Sequence, residues 1–165
     1  MEKRKVLERL EKAWMDFQES FEGLSESQLL VSGVTGAWSV RDILAHVTTW
    51  EEEALKHLPS ILRGETPPRY SVMYGGIDAF NAQTTAQKKN DSLRDVLRQL
   101  TATHRKLLDF LETLPEEYFA GETRFRHRLR LDTYGHYPKH ARAIQKWREA
   151  REPTNSGDFR LRLVS

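Results

Sequence analysis

The sequence predicts an all-α fold built from long packed helices, on three observations. Apolar residues recur at three- and four-residue spacing through most of the chain, which is the helical period. Glycine and proline cluster at 33–36, 64–68, 75–76 and 153–157 and so divide the periodic stretches. Ser39 and Ser92 each stand three residues before an aspartate and directly ahead of an apolar run, the spacing of a helix-capping box.

Element by element, the first helix covers 2–21, with Val6, Leu7, Leu10, Trp14, Phe17 and Phe21 on one side. A polar connector, 25–36, follows. The second helix runs over 40–62, from its Ser39 cap to a stop at Gly64, and carries a stripe of Val40, Ile43, Leu44, Val47, Trp50, Ala54, Leu58 and Ile61. The segment Gly64–Gly76 is too rich in proline and glycine for helix, and a loop of that length in a compact domain is often functional. A third helical region, 77–113, is expected to break near Asn90 and restart at Ser92. Residues 124–131, RFRHRLRL, alternate arginine with Phe, His or Leu, a period of two that predicts an extended segment. The last helix is placed at 133–150. One domain over 1–150 and a loosely ordered tail over 151–165 complete the plan.

Composition narrows the chemistry. The 165 residues include 26 Lys+Arg, 24 Asp+Glu and no cysteine, for a net charge of +2. The missing thiol excludes disulfides, iron–sulfur clusters, thiolate zinc sites and a cysteine nucleophile, so any metal must be held by His, Asp or Glu. Because charges of both signs are interleaved, nucleic acid is not the expected partner. No stretch approaches the roughly 18 consecutive apolar residues of a membrane span. The charged, helical N-terminus lacks the apolar core of a signal peptide, so a cytoplasmic location is expected.

The last helix is the informative one. At 100° per residue, His136, His140, Ala143, Ile144 and Trp147 share its apolar side. Histidines four residues apart sit about 6 Å apart along a helix and suit two cis ligands of one ion; the alternative is a pair of core histidines bonded to their neighbours. Pro138, between them, is expected to kink the helix. On the second helix, His46 lies at the border of the apolar stripe and can face the pair. His57, eleven residues further on, is about 16 Å from His46. His104, on an apolar stripe, reads as a satisfied core group, and His127 lies within an arginine run. Glu53, two turns beyond His46, is a candidate general base, against the simpler reading of Glu51, Glu52 and Glu53 as a solvated run. Tyr70 and Tyr74 are candidates for a pocket mouth, and Arg124, Arg126, Arg128 and Arg130 read as solvated.

The segments GAWSVRDILAHVTTWEEEAL (36–55), DAFN (78–81) and DTYGHYPKHARAIQKW (132–147) together resemble the DinB-like (YfiT-type) superfamily, and the latter two most resemble its DfsB/ClbS-like branch. The resemblance implies an up-down-down-up four-helix bundle, often a homodimer. It also implies a divalent metal ion, zinc or nickel, held by His46, His136 and His140. The activity implied is that of a metal-dependent hydrolase or a thiol-dependent transferase acting on an electrophilic small molecule, in detoxification or self-resistance, with Glu53 and Tyr74 as catalytic candidates. The alternative is a non-catalytic bundle that binds or sequesters a small molecule.

Overall fold

The computed structural model describes residues 1–151; the tail beyond Arg151 lies outside the described residues. Four long helices form the bundle: α1 (Glu2–Phe21), α3 (Val40–Leu62), α6 (Leu93–Glu112) and α8 (Tyr137–Arg151). Between them lie α2 (Glu26–Leu30), α4 (Tyr70–Met73), α5 (Ile77–Lys88), a 3₁₀ turn (Glu116–Phe119) and α7 (Arg124–Asp132). Among the described residues there is no strand, only an isolated bridge between Thr35 and Trp38.

Local chemistry sets the main boundaries. Ser39 accepts from the Asp42 amide while Asp42 reaches back to the Ser39 amide, the reciprocal box that starts α3. Ser25 and Gln28 form a second such box at α2, inside the expected connector. Ser92 accepts from the Asp95 amide and starts α6. The third helical region is therefore two helices, divided at 89–92 as the sequence predicts.

Cross-helix bonds give the direction of each element. Lys3 Nζ reaches the carbonyls of Glu112 and Leu114, so the start of α1 lies at the end of α6. Arg41 donates to the Asp91 carbonyl and Glu51 meets His104, so α3 and α6 run parallel. Trp14 packs on Tyr137 and Arg148 bonds the Ser20 carbonyl, so α1 and α8 are parallel too. The order is up, down, down, up. Parallel α3 and α6 require a long crossover, and α4 and α5 supply it. The core is built from Leu10, Phe17, Ile43, Leu44, Val47, Leu58, Leu107 and Ile144, each with no exposed surface. Burying such side chains contributes about 1.5–3 kcal/mol each before the ordering cost.

Two expectations need correction. Residues 124–131 are helix, not extended: Phe125, Leu129 and Asp132 are buried at helical spacing, and the arginines between them pair with acids. The last helix starts at Tyr137 rather than 133, so His136 stands on the turn before it. Pro138 consequently falls in the first helical turn, where its missing N–H has no intrahelical partner to lose, and the expected mid-helix kink has no place to form.

Candidate metal centre

His46 projects from α3, His140 from α8 and His136 from the turn between α7 and α8, and their Nε2 atoms converge. His136 Nε2 lies 3.1 Å from His46 Nε2 and 2.9 Å from His140 Nε2, and one ligand atom from each residue falls within 4.8 Å of the others. An ion with metal–nitrogen bonds of about 2.1 Å separates cis or tetrahedral ligands by roughly 3.0–3.4 Å. The spacing therefore fits one divalent ion, although His136 does not share the helix face that the i, i+4 pattern predicts.

The turn carrying His136 is tightly fixed. Gly135 N–H donates to the Arg130 carbonyl at 2.8 Å and His136 N–H to the Thr133 carbonyl at 2.8 Å. A Cβ at Gly135 would stand 2.7 Å from the Arg130 carbonyl oxygen, so this close approach requires glycine. Burial, helped by neighbouring positive charge, pushes the imidazoles down to about 3 for His46, about 2 for His136 and about 4 for His140. At neutral pH all three are uncharged and offer lone pairs, the form that binds metal. Among the described residues, the Nδ1 atoms of His46 and His136 are buried without a partner.

The triad forms part of the wall of a cavity of about 530 Å³, within the usual range for small-molecule sites. Trp38, Trp50, Tyr70, Ile77 and Leu131 supply apolar wall, and Asn81, Arg128, Asp132 and Lys139 supply polar groups. Trp50 Nε1 donates to Asn81 Oδ1 at 3.0 Å, which fixes the indole. Arg128 donates from Nε to Asp132 Oδ2 and from a terminal nitrogen to the Tyr70 hydroxyl, both at 2.6 Å. Burial outweighs the arginine and raises the Asp132 carboxyl to about 6.

The remaining candidates have other places. Glu53 is buried, accepts from the Tyr70 hydroxyl at 3.4 Å and faces His57 Nε2 at 3.6 Å. It reaches the cavity wall only through Tyr70. Tyr74 packs on Tyr70 and Phe80 behind the wall. The solvated-run reading of the three glutamates holds for Glu52, which pairs with Lys88 at the surface, and fails for Glu51 and Glu53. Glu51 has no exposed surface and meets His104 Nδ1 at 3.2 Å, while the His104 ring stacks on Trp14 at 3.7 Å. His104 is thus a core histidine, as expected, but satisfied at Nδ1 only: its Nε2 is buried without a partner among the described residues. Arg128 and Asp132 were not legible as cavity residues, because the period-two reading of their segment gave them no inward face.

A family model for the DinB superfamily matches residues 9–150. No curated protein matches the chain. Among solved structures, DfsB, described as a sibling lethal factor precursor, is similar with a TM-score of 0.73 at 18% identity, covering 91% of this chain and 96% of its own. ClbS, a colibactin self-resistance protein solved in complex with double-stranded DNA, has a TM-score of 0.73 at 14% identity over 87% of this chain and 93% of its own. An uncharacterised protein from Escherichia coli UTI89 has a TM-score of 0.74 at 12% identity, over 90% and 94%. At such identities these structures show the fold alone, and among the described residues no helix is long and apolar enough to cross a membrane. With the family model matched over most of its length, the chain belongs to the DinB superfamily.

Proposed function

We propose that the protein is a metal-dependent enzyme acting on an electrophilic small molecule, with His46, His136 and His140 holding a zinc or nickel ion through Nε2. The observation that supports this reading is the convergence of three neutral imidazoles on the wall of a cavity. When bound, the ion would lower the pKa of a water or thiol at its open positions and so supply a nucleophile near neutral pH. The chain's own groups do the rest. Trp38 and Trp50 restrict water beside the histidines, and the Arg128–Asp132 pair offers a carboxylate at the cavity wall. Tyr70 ties that pair to Glu53, which takes or returns a proton through the Tyr70 hydroxyl, while Tyr74 backs the Tyr70 ring.

The test is elemental analysis of protein purified without a histidine tag. Metal near one equivalent per chain supports the enzyme, and none after incubation with zinc and nickel overturns it. Product analysis with and without added thiol then separates hydrolysis from thiol transfer.

A second reading, a non-catalytic binding bundle, draws on the partnerless Nδ1 atoms of His46 and His136, since ligating imidazoles usually donate that N–H to an acceptor. Metal content decides between them. The DNA bound by ClbS suggests a third test, duplex titration at increasing salt. Here the arginines of 124–130 are engaged within the fold: Arg124 with Thr66, Arg126 with Gly121, Arg128 with Asp132 and Arg130 with Glu122. That engagement favours the small-molecule reading.

A further inference from the structure

The cavity beside the triad is more selective than three ligands require. Three of its walls are aromatic, and each ring is held in place. Trp38 lies 4.7 Å from the His46 ring, Trp50 is fixed by Asn81, and Tyr70 sits 5.4 Å from Trp50 with the Arg128 guanidinium 5.5 Å from its centroid. Rings already fixed offer a large flat contact at little further cost in side-chain entropy. An aliphatic chain gains burial from such walls but no stacking.

The charges around the cavity are uneven. Arg128 and Asp132 both reach it, yet they neutralise each other through a 2.6 Å bond. Lys139 also lines it, is exposed, and makes no hydrogen bond or ion pair among the described residues. Among the described residues, one positive charge without a partner therefore stands beside apolar walls. At the cavity's edge that charge attracts an anion and repels a cation, weakly where it faces water and more strongly once a ligand displaces the water.

We propose that this cavity binds a small molecule with a flat aromatic body and one anionic group, the body among Trp38, Trp50 and Tyr70 and the anion against Lys139. This deepens the enzyme reading by naming a substrate class and rests on it for the word substrate. The binding chemistry itself does not need the ion.

Calorimetric titration of untagged, chelator-treated protein with four compounds tests it: 2-naphthoate, neutral 2-acetylnaphthalene, cationic 2-naphthylmethylammonium and aliphatic octanoate. The expected result is saturable 1:1 binding of 2-naphthoate, at least about tenfold tighter than octanoate or the cation. Lys139→Gln should weaken 2-naphthoate by about tenfold, the loss of one charge-assisted hydrogen bond, and leave 2-acetylnaphthalene unchanged. No saturable 2-naphthoate binding overturns the proposal. So does equal affinity for octanoate or for the cation, or an unchanged 2-naphthoate affinity in Lys139→Gln. Zinc uptake measured on the same preparation keeps the two readings apart. Naphthoate binding without zinc uptake removes the metal enzyme and leaves this ligand class, whereas zinc uptake without naphthoate binding does the reverse.

Discussion

Two parts of the bundle pack histidine in opposite ways. His104 is anchored at one nitrogen and on its face, by a carboxylate 3.2 Å from Nδ1 and a stacked indole, while its Nε2 is buried without a partner among the described residues. His46, His136 and His140 meet chiefly one another, with three Nε2 atoms turned toward a common point. The first arrangement pairs its histidine with a carboxylate of the chain itself. The second leaves three lone-pair donors facing each other, a poor choice for stability alone, because apolar side chains would fill the space without needing partners. A buried histidine is therefore classified by what its nitrogens face, not by its burial.

The double change His136→Leu, His140→Leu should break that comparison most completely. At a free zinc concentration 100 times Kd, metal binding adds about 2.7 kcal/mol to wild-type stability, and the variant should gain nothing. Thermal melts with chelator and with zinc measure both. Glu51→Leu probes the other region: removing one partner of a buried pair costs on the order of 3 kcal/mol, read by urea unfolding. The zinc-dependent rise should survive, and its loss would show that the two regions are coupled.

Gly135→Ala sharpens the comparison at the triad alone. A methyl group 2.7 Å from the Arg130 carbonyl oxygen forces the turn apart, at about 1–3 kcal/mol. Zinc affinity should fall with it, since His136 is the next residue, and competition with a chromogenic chelator gives the value. The effect at Asp132→Asn is expected to depend on pH. In the folded chain the Asp132 carboxyl is raised from 3.8 to about 6. Between those values the folded state holds a proton that the unfolded state has released, so this group's contribution to stability falls as pH rises through about 6. Asparagine carries no such proton. Its stability relative to wild type should therefore improve between about pH 4 and 6, as urea unfolding across that range would record.

Much of the fold is legible because its signals are local. The cap at Ser39, the restart at Ser92 and the stop before Gly64, whose φ of 83° suits glycine, each lie within a few residues of the boundary they set. The triad is reachable through the family resemblance and the i, i+4 spacing of His136 and His140, although His136 stands on the turn before α8 rather than on the helix. What escapes is tertiary. Glu51 and Glu53 look like a surface run, but α3 is packed by α6, α5 and α7, which leaves Glu52 exposed and buries Glu51 and Glu53. In 124–131 the regular spacing of arginines hides the spacing of four and three between Phe125, Leu129 and Asp132. The end of α7 and the turn after it depend on a carbonyl contact at Gly135 that no periodicity reports.

The crossover between the parallel helices α3 and α6 adds a wall to the cavity that carries none of the three histidines. The triad belongs to α3, α8 and the turn before α8, whereas Tyr70, Ile77 and Asn81 come from the crossover that closes the cavity. The histidines that could hold an ion thus lie outside the crossover, while the cavity wall draws on both, with Tyr70 from the crossover and Trp50 and Lys139 from α3 and α8. Replacing crossover side chains that face the cavity, such as Ile77, should retune which molecule is accepted while leaving the ion site intact, so that new specificities are reachable without rebuilding the reactive centre.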